Sequence, residues 1–351
     1  MKTNEYQVEN HSIGQSVRPF IIAEVSGNHN GDLQRALDIV DMVAESGAQA
    51  VKLQTYTADT ITLNSKRPEF MISDSHPLWG GKNLYDLYEE AHTPWKWHEA
   101  IFARAREKGL VPFSSPFDPT AIDLLESLDA PLYKVASLEI GDLPLLRRVA
   151  QTGKPVILSN GAASLTDMDR AIQAIRGEGN DQIVLLACTS SYPASPSESN
   201  LRTIPVLSKA FGVQIGLSDH TMGIGAAIAA VAMGATVVEK HVTLSRADGG
   251  VDSDFSLEPD ELAMLVKESE VAWLSLGSPT LQVTAGESES SRLRRSLYVV
   301  QAVSKGEIVT EANVRSIRPS GGLEPDMFAT VVGRPFTTDC EPGTPLTWNV
   351  I

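Results

Sequence analysis

The chain has 351 residues, more than a single core ordinarily holds, so one large domain with a smaller companion is expected. A hydrophobic fraction of 42% and a charged fraction of 21% are those of a globular protein. A net charge of −15 excludes general affinity for nucleic acid or an anionic membrane, yet leaves room for a small anion held by a few focused lysines.

The opening residues, "MKTNEYQVEN", are polar and have no apolar secretory core, so no signal segment is expected. "FIIAEV" (20–25) then reads as a strand, and a helix follows with Leu33, Leu37, Val40 and Val43 at helical spacing and Asp32 as its N-cap. "AVKLQ" (50–54) is the second strand. After it comes a long insert, 55–91, of the kind that forms a lid or specificity element at a strand end.

Further strand-like runs stand at 110–114, 132–136, 155–159, 183–187, 213–217 and 236–240. Helical segments lie between most of them, at 95–108, 120–128, 143–152 and 165–176. Doubly buried strands alternating with helices predict a parallel sheet. Eight such units favour a closed (β/α)8 barrel over an open doubly wound sheet, which the absence of a GxGxxG after the first strand also disfavours. The weakly polar run 223–238 is broken by glycines and too short to span a membrane. Beyond Gly277 the polar stretch 278–291 reads as a linker, and 292–351, with short runs punctuated by Gly and Pro, as a small β-rich domain. Cys188 and Cys340 form no metal or redox spacing and fit a reduced cytoplasm; Cys188, ending an apolar run, reads as a small core residue.

Chemistry in parallel barrels gathers at the carboxyl ends of the strands. Those ends carry Glu24, Lys52, Gln54, Ser115, Lys134, Ser137, Glu139, Ser159, Ser190, Ser218, His220, Glu239 and His241. A serine at a strand end is often only a residue meeting solvent. A lysine inside an apolar run is different, because burying it is costly unless it meets an anion. His220 and His241 end consecutive strands, each beside a carboxylate (Asp219 and Glu239), and imidazoles so placed can share one metal ion. No HExxH motif or cysteine partner supports a closed structural zinc site. The residues alone therefore point to a metal-dependent barrel enzyme acting on a small phosphorylated anion.

The segments "AEVSGNHNGD", "VKLQTYTADT", "FSSPFD", "YKVAS", "CTSSYP", "GLSDHT", "VVEKHVTLSR", "GGVDSDFSLEP", "RRSLYVV" and "RSIRP" resemble, in order, the sialic-acid-synthase superfamily. The insert "PLWGGKNLYDLYEEAHTPW" is similar to the branch of that superfamily that makes pseudaminic acid. The resemblance implies a (β/α)8 barrel followed by a small antifreeze-like (SAF, β-clip) domain. It also implies a domain-swapped homodimer in which each SAF domain caps the partner's barrel. The implied reaction condenses phosphoenolpyruvate (PEP) with an open-chain acetamido sugar, giving a nine-carbon 2-keto-3-deoxy acid and phosphate. In the pseudaminic branch that sugar is 2,4-diacetamido-2,4,6-trideoxy-L-altrose; sialic and legionaminic synthases differ in the sugar.

Carried over residue by residue, the resemblance implies that His220 and His241 hold Mn²⁺, Mg²⁺ or Co²⁺. Lys52, Ser115, Lys134, Ser137, Ser159, Ser190 and Ser218 match PEP-binding positions. Ser190 replaces the asparagine of sialic acid synthases, and "SNGAAS" departs from the usual stretch around Ser159. Glu24, Gln54, Glu139, Tyr192 and Asp252 match sugar-side or catalytic positions, with Glu24 and Asp252 as the catalytic carboxylates. Arg318 matches the SAF arginine that reaches an acetamido group across the dimer.

Overall fold

The computed structural model describes residues 5–73 and 79–351; Pro77 and Leu78 of the quoted insert lie outside them. The chain divides into two compact units, one running to Gly277 and the other Ser278–Ile351.

The first unit is a closed barrel of eight parallel strands: β3 (Phe20–Glu24), β4 (Ala50–Thr55), β5 (Val111–Pro116), β6 (Tyr133–Val135), β7 (Val156–Ser159), β8 (Ile183–Cys188), β9 (Gln214–Asp219) and β10 (Val237–His241). Strand β10 pairs with both β9 and β3, which closes the ring. All eight predicted strands are present, their ends shifted by a residue or two. Ahead of them β1 (Tyr6–Val8) and β2 (His11–Ile13) form an antiparallel hairpin within what reads in sequence as a polar leader.

Two-residue alternation sorts the side chains of each strand. Along β10, Val237 joins the cluster inside the barrel and Val238 the cluster outside it. The inner cluster holds Phe20, Ile22, Phe113, Leu132 and Leu186, together with Tyr6, Val8 and Ile13 of the hairpin. The hairpin thus plugs the amino-terminal end of the barrel. Each fully buried Ile, Leu or Phe of this layer contributes about 1.5–3 kcal/mol. Gly216 of β9 is small because a Cβ there would meet the Val237 carbonyl oxygen and the Leu186 side chain.

Helices α1 (Leu33–Glu45), α2 (Ala58–Ile61), α3 (Leu84–Ala91), α4 (His98–Glu107), α5 (Pro119–Ser127), α6 (Leu143–Ala150), α7 (Leu165–Gly177), α8 (Thr203–Phe211), α9 (Gly225–Ala232) and α10 (Pro259–Leu276) complete the unit. Asp32 caps α1 by accepting a hydrogen bond from the Gln34 amide at 2.8 Å, and Ala36, Ile39, Val40 and Val43 bury the helix's inner face. The predicted helix 95–108 begins instead with a 3₁₀ turn, Trp95–Trp97, which leads into α4.

In the second unit β11 (Ser296–Val299) and β12 (Val314–Ile317) pair antiparallel over a small core that includes Leu297, Val314, Phe336 and Leu346. The stretch 278–291, read as a linker, contains a 3₁₀ turn (Ala285–Glu287) and one helical turn (Ser288–Ser291). "EIVT" (307–310) forms no strand; its Ile308 makes an isolated bridge to Pro335.

Candidate active site

The inward phase of the strands turns polar in the last residues before the carboxyl end. Register pairs Glu24 with Lys52 on one side and with His241 on the other. Lys52 Nζ lies 2.5 Å from Glu24 Oε2, 3.5 Å from Glu239 Oε1 and 3.4 Å from Ser115 Oγ. Ser218 donates to Glu239 Oε1 at 3.3 Å. Lys52, Lys134, Glu24 and Glu239 are all buried.

Two carboxylates in one pocket are driven apart by their neighbours. Burial pushes the Glu24 carboxyl up, and the opposing Lys52 ammonium does not cancel it. Burial acts on Glu239 in the same direction, but Lys134 and Lys52 overcome it and hold that carboxyl below its ordinary value. Such divergence separates a proton-transfer group from a permanent counter-ion. Burial also holds the Lys134 ammonium below the usual lysine range, with Glu239 opposing. Lys134 Nζ donates to the Val135 carbonyl at 3.1 Å.

A chain of contacts runs from the lysine end of the pocket to the histidine end. Gln54 Nε2 donates to Glu24 Oε1 at 3.0 Å and lies 3.3 Å from Ser26 Oγ. Ser26 donates to Asp252 Oδ2, which stands 3.6 Å from His241 Nδ1. Ser26 adopts φ +47°, a left-handed conformation rare for a residue with a side chain. Nothing in the sequence reading singled it out.

The rings of His220 and His241 are 5.4 Å apart. His220 Nδ1 contacts the Thr189 carbonyl at 2.9 Å, so a proton there leaves Nε2 with its lone pair. His241 is held neutral by burial and by His220, its pKa far below the ordinary range, and its buried Nδ1 has no hydrogen-bond partner among the described residues. Two imidazoles so arranged fit a divalent ion. No group of three or more His, Cys, Asp or Glu in metal-holding geometry occurs among the described residues, so oxygens from water or substrate would complete the shell. Asp219, the carboxylate read beside His220, is not in this pocket: it points outward to Lys240 Nζ at 3.0 Å, because adjacent strand residues face opposite ways.

A third cluster gathers hydroxyls. The Gly161 amide donates to Ser137 Oγ at 3.1 Å, and a Cβ on Gly161 would strike the Ser190 and Ser137 hydroxyls. Ser159 is buried, with its Oγ unpartnered among the described residues. Cys188 is not the inert core residue of the sequence reading. It follows Val184 and Leu186 on the inward phase of β8, with Sγ 3.4 Å from Ser137 Oγ. Burial raises its thiol pKa most, but His220, Ser137 and Lys134 together outweigh that and bring it to about 7.

A cavity of about 580 Å³ opens over the strand ends. Ser26, Gln54, Ser137, Glu139, Asp252 and His241 line it on the barrel side. Tyr192 also lines it, its ring 4.4 Å from that of His220, and burial raises its phenol pKa. Burial likewise raises the Glu139 carboxyl, with Lys134 opposing. Tyr56, Tyr88 and Phe117 stack edge to face along the same wall. Of the site residues named from sequence, Arg318 alone belongs to the second unit, where it follows β12 and is exposed.

Buried lysines, divergent carboxylates and a histidine pair at the carboxyl end of a parallel barrel define a (β/α)8-barrel enzyme suited to a small anion. The NeuB family model matches residues 39–280 and the SAF domain model residues 294–351; the chain belongs to the NeuB family. It is 42% identical to a pseudaminic acid synthase of Helicobacter pylori, covering 93% of this chain and 96% of that protein. It is 39% identical to a pseudaminic acid synthase of Campylobacter jejuni, covering 97% and 98% of the two chains. Among solved structures it resembles the N-acetylneuraminic acid (sialic acid) synthetase of Leptospira borgpetersenii in complex with citrate, with a TM-score of 0.73 and 33% identity over 82% of this chain and 95% of that one.

Proposed function

We propose that the protein condenses PEP with 2,4-diacetamido-2,4,6-trideoxy-L-altrose to give pseudaminic acid and phosphate. The observation that carries this reading is the pair of buried inward lysines, Lys52 and Lys134, with a hydroxyl cradle and a histidine pair at the same carboxyl end of the barrel. The choice of sugar is supported by the likeness to pseudaminic acid synthases over nearly the whole chain.

In this reading Lys52, Lys134 and the hydroxyls of Ser115, Ser137, Ser159, Ser190 and Ser218 hold the PEP phosphate and carboxylate by charge-assisted hydrogen bonds. His220 and His241 hold a divalent ion, which when bound supplies Lewis acidity to the aldehyde oxygen of the open-chain sugar. Gln54, Glu139, Tyr192 and Asp252 orient that sugar. The C3 carbon of PEP forms the new bond to the aldehyde carbon, whose oxygen takes up a proton to become a hydroxyl; positive charge is left at C2, where the carboxylate and phosphate stabilise it. Glu24, with its raised pKa, takes a proton from the water that adds to C2. The tetrahedral product then loses phosphate by cleavage of its C–O bond, leaving the 2-keto acid.

The family resemblance extends to a domain-swapped homodimer in which Arg318 serves the partner's barrel. Refolding Glu24→Ala and Arg318→Ala chains together tests that arrangement. Activity above the average of the two parents supports it, and the plain average places Arg318 in the service of its own chain.

Phosphate release from PEP, measured with and without each sugar, tests the reaction itself. Release that depends on the altrose-configured sugar is expected. Preference for N-acetylmannosamine would move the protein to the sialic acid branch.

A further inference from the structure

In the insert after β4, α3 turns an apolar stripe toward the cavity over the strand ends. In α3, Leu84, Leu87, Tyr88 and Ala91 recur at the i, i+3, i+4, i+7 spacing that ordinarily faces a core, and all four line the cavity. Ile61, the last residue of α2, and Ile72 extend the same wall. The aliphatic side chains here offer no donor or acceptor. The barrel side of the cavity, with Gln54, Asp252 and His241, is polar. A ligand that fills this space needs one polar side and one apolar side.

We infer that the aliphatic wall of Ile61, Ile72, Leu84 and Leu87 is the specificity device that selects a 6-deoxy sugar. This rests on the reaction proposed above. The aldehyde end of the sugar belongs at the histidines, which leaves the far end of its carbon chain to α3. A terminal methyl there keeps apolar contact. Against the side chains of Ile61, Ile72, Leu84 and Leu87 a terminal hydroxyl would give up its water and meet only carbon, an unpaired polar group in a desolvated site. Rejection of a hydroxyl by an apolar pocket is moderate, so the wall should favour the 6-deoxy sugar over its 6-hydroxy counterpart by roughly 10- to 100-fold in kcat/KM.

Leu84 is the residue to change. It is half-buried at the first position of α3, where glutamine is also a good helix former. The 6-deoxy diacetamido sugar, the 6-hydroxy sugar of the same configuration and N-acetylmannosamine are assayed with wild type, Leu84→Gln and Leu84→Met. Wild type should prefer the deoxy sugar, Leu84→Met should keep that preference, and Leu84→Gln should bring the ratio toward parity with an unchanged KM for PEP. Equal use of both diacetamido sugars by wild type overturns the inference. So does an undiminished preference in Leu84→Gln, and in both cases the proposed reaction still stands. Should wild type prefer N-acetylmannosamine to both, the proposed reaction itself fails and the inference with it.

Discussion

Lys52 Nζ and Glu24 Oε2 lie 2.5 Å apart with both side chains buried, so the inward lysine meets an anion supplied by the protein itself. Glu239 stands at 3.5 Å from the same ammonium. On the proposed reading, an incoming phosphate or carboxylate competes with these two carboxylates for the Lys52 ammonium.

Replacing Glu24 separates its chemical part from its structural one. Glu24→Gln keeps the shape and leaves Glu239 as the counter-ion of Lys52. The fold should survive, while kcat falls by about 100-fold or more, the scale of a lost general base. Steady-state kinetics beside a thermal unfolding curve checks this; an unchanged kcat would remove Glu24 from the proton transfer.

Lys134 should give PEP binding an alkaline limit. Burial lowers its pKa, so its charge disappears at a lower pH than that of an exposed lysine. On the proposed reading the charged form holds the anion, so the KM for PEP should rise as pH climbs through that value. Lys134→Arg keeps its charge at any such pH, and its KM profile should stay flat there. The same alkaline rise in both proteins would assign the limit to another group.

On the proposed reading, His220 and His241 make turnover depend on a divalent metal ion. A chelator should abolish turnover, and Mn²⁺ or Mg²⁺ should restore it. His220→Ala and His241→Ala should each bind the ion more weakly, by calorimetry, while unfolding at nearly the wild-type temperature. Full activity in excess chelator would count decisively against the site.

Cys188 and Cys340 are the two cysteines of the chain, and they should react unequally. Cys340 is buried, and burial raises its thiol pKa, whereas Cys188 titrates at about 7 beside the cradle. Brief iodoacetamide treatment should label Cys188 first, and PEP should slow that labelling. Peptide mass mapping reads both effects. Equal labelling with and without PEP would put the anion away from Ser137 and Ser190.

Gly216→Ala tests packing alone. The added methyl would press on the Val237 carbonyl and Leu186, and overpacking of this kind typically costs about 1–3 kcal/mol. Chemical denaturation should show that loss; wild-type stability would mean that the strands separate more easily than their spacing implies.

The barrel was legible because each strand carries its own signature, a buried apolar run that ends in a polar residue. The same alternation placed Lys52, Lys134, His220 and His241 on the inner side. Other features depend on contacts that run across the chain. Ser26 matters through Asp252, which is 226 residues away. Asp219 lies next to His220 in sequence, yet its side chain takes the opposite face. Cys188 resembled core because its neighbours do, although counting two residues at a time from Val184 gives its direction. The hairpin was missed because strands of three residues with mixed polarity, "YQV" and "HSI", are too short to show a period.

That hairpin bears on the order of events. With Tyr6, Val8 and Ile13 seated in the inner layer, the barrel is stoppered at one end, and the cavity lined by α3 lies over the strand ends at the other. A sugar lying in that cavity stands between PEP and the solvent. On the proposed reading the two substrates queue in single file: PEP must arrive before the sugar, and phosphate, released at the bottom, has to wait for the nine-carbon acid to leave. Occupancy of the mouth would then set the turnover rate, and excess sugar would hinder the enzyme by entering ahead of its turn.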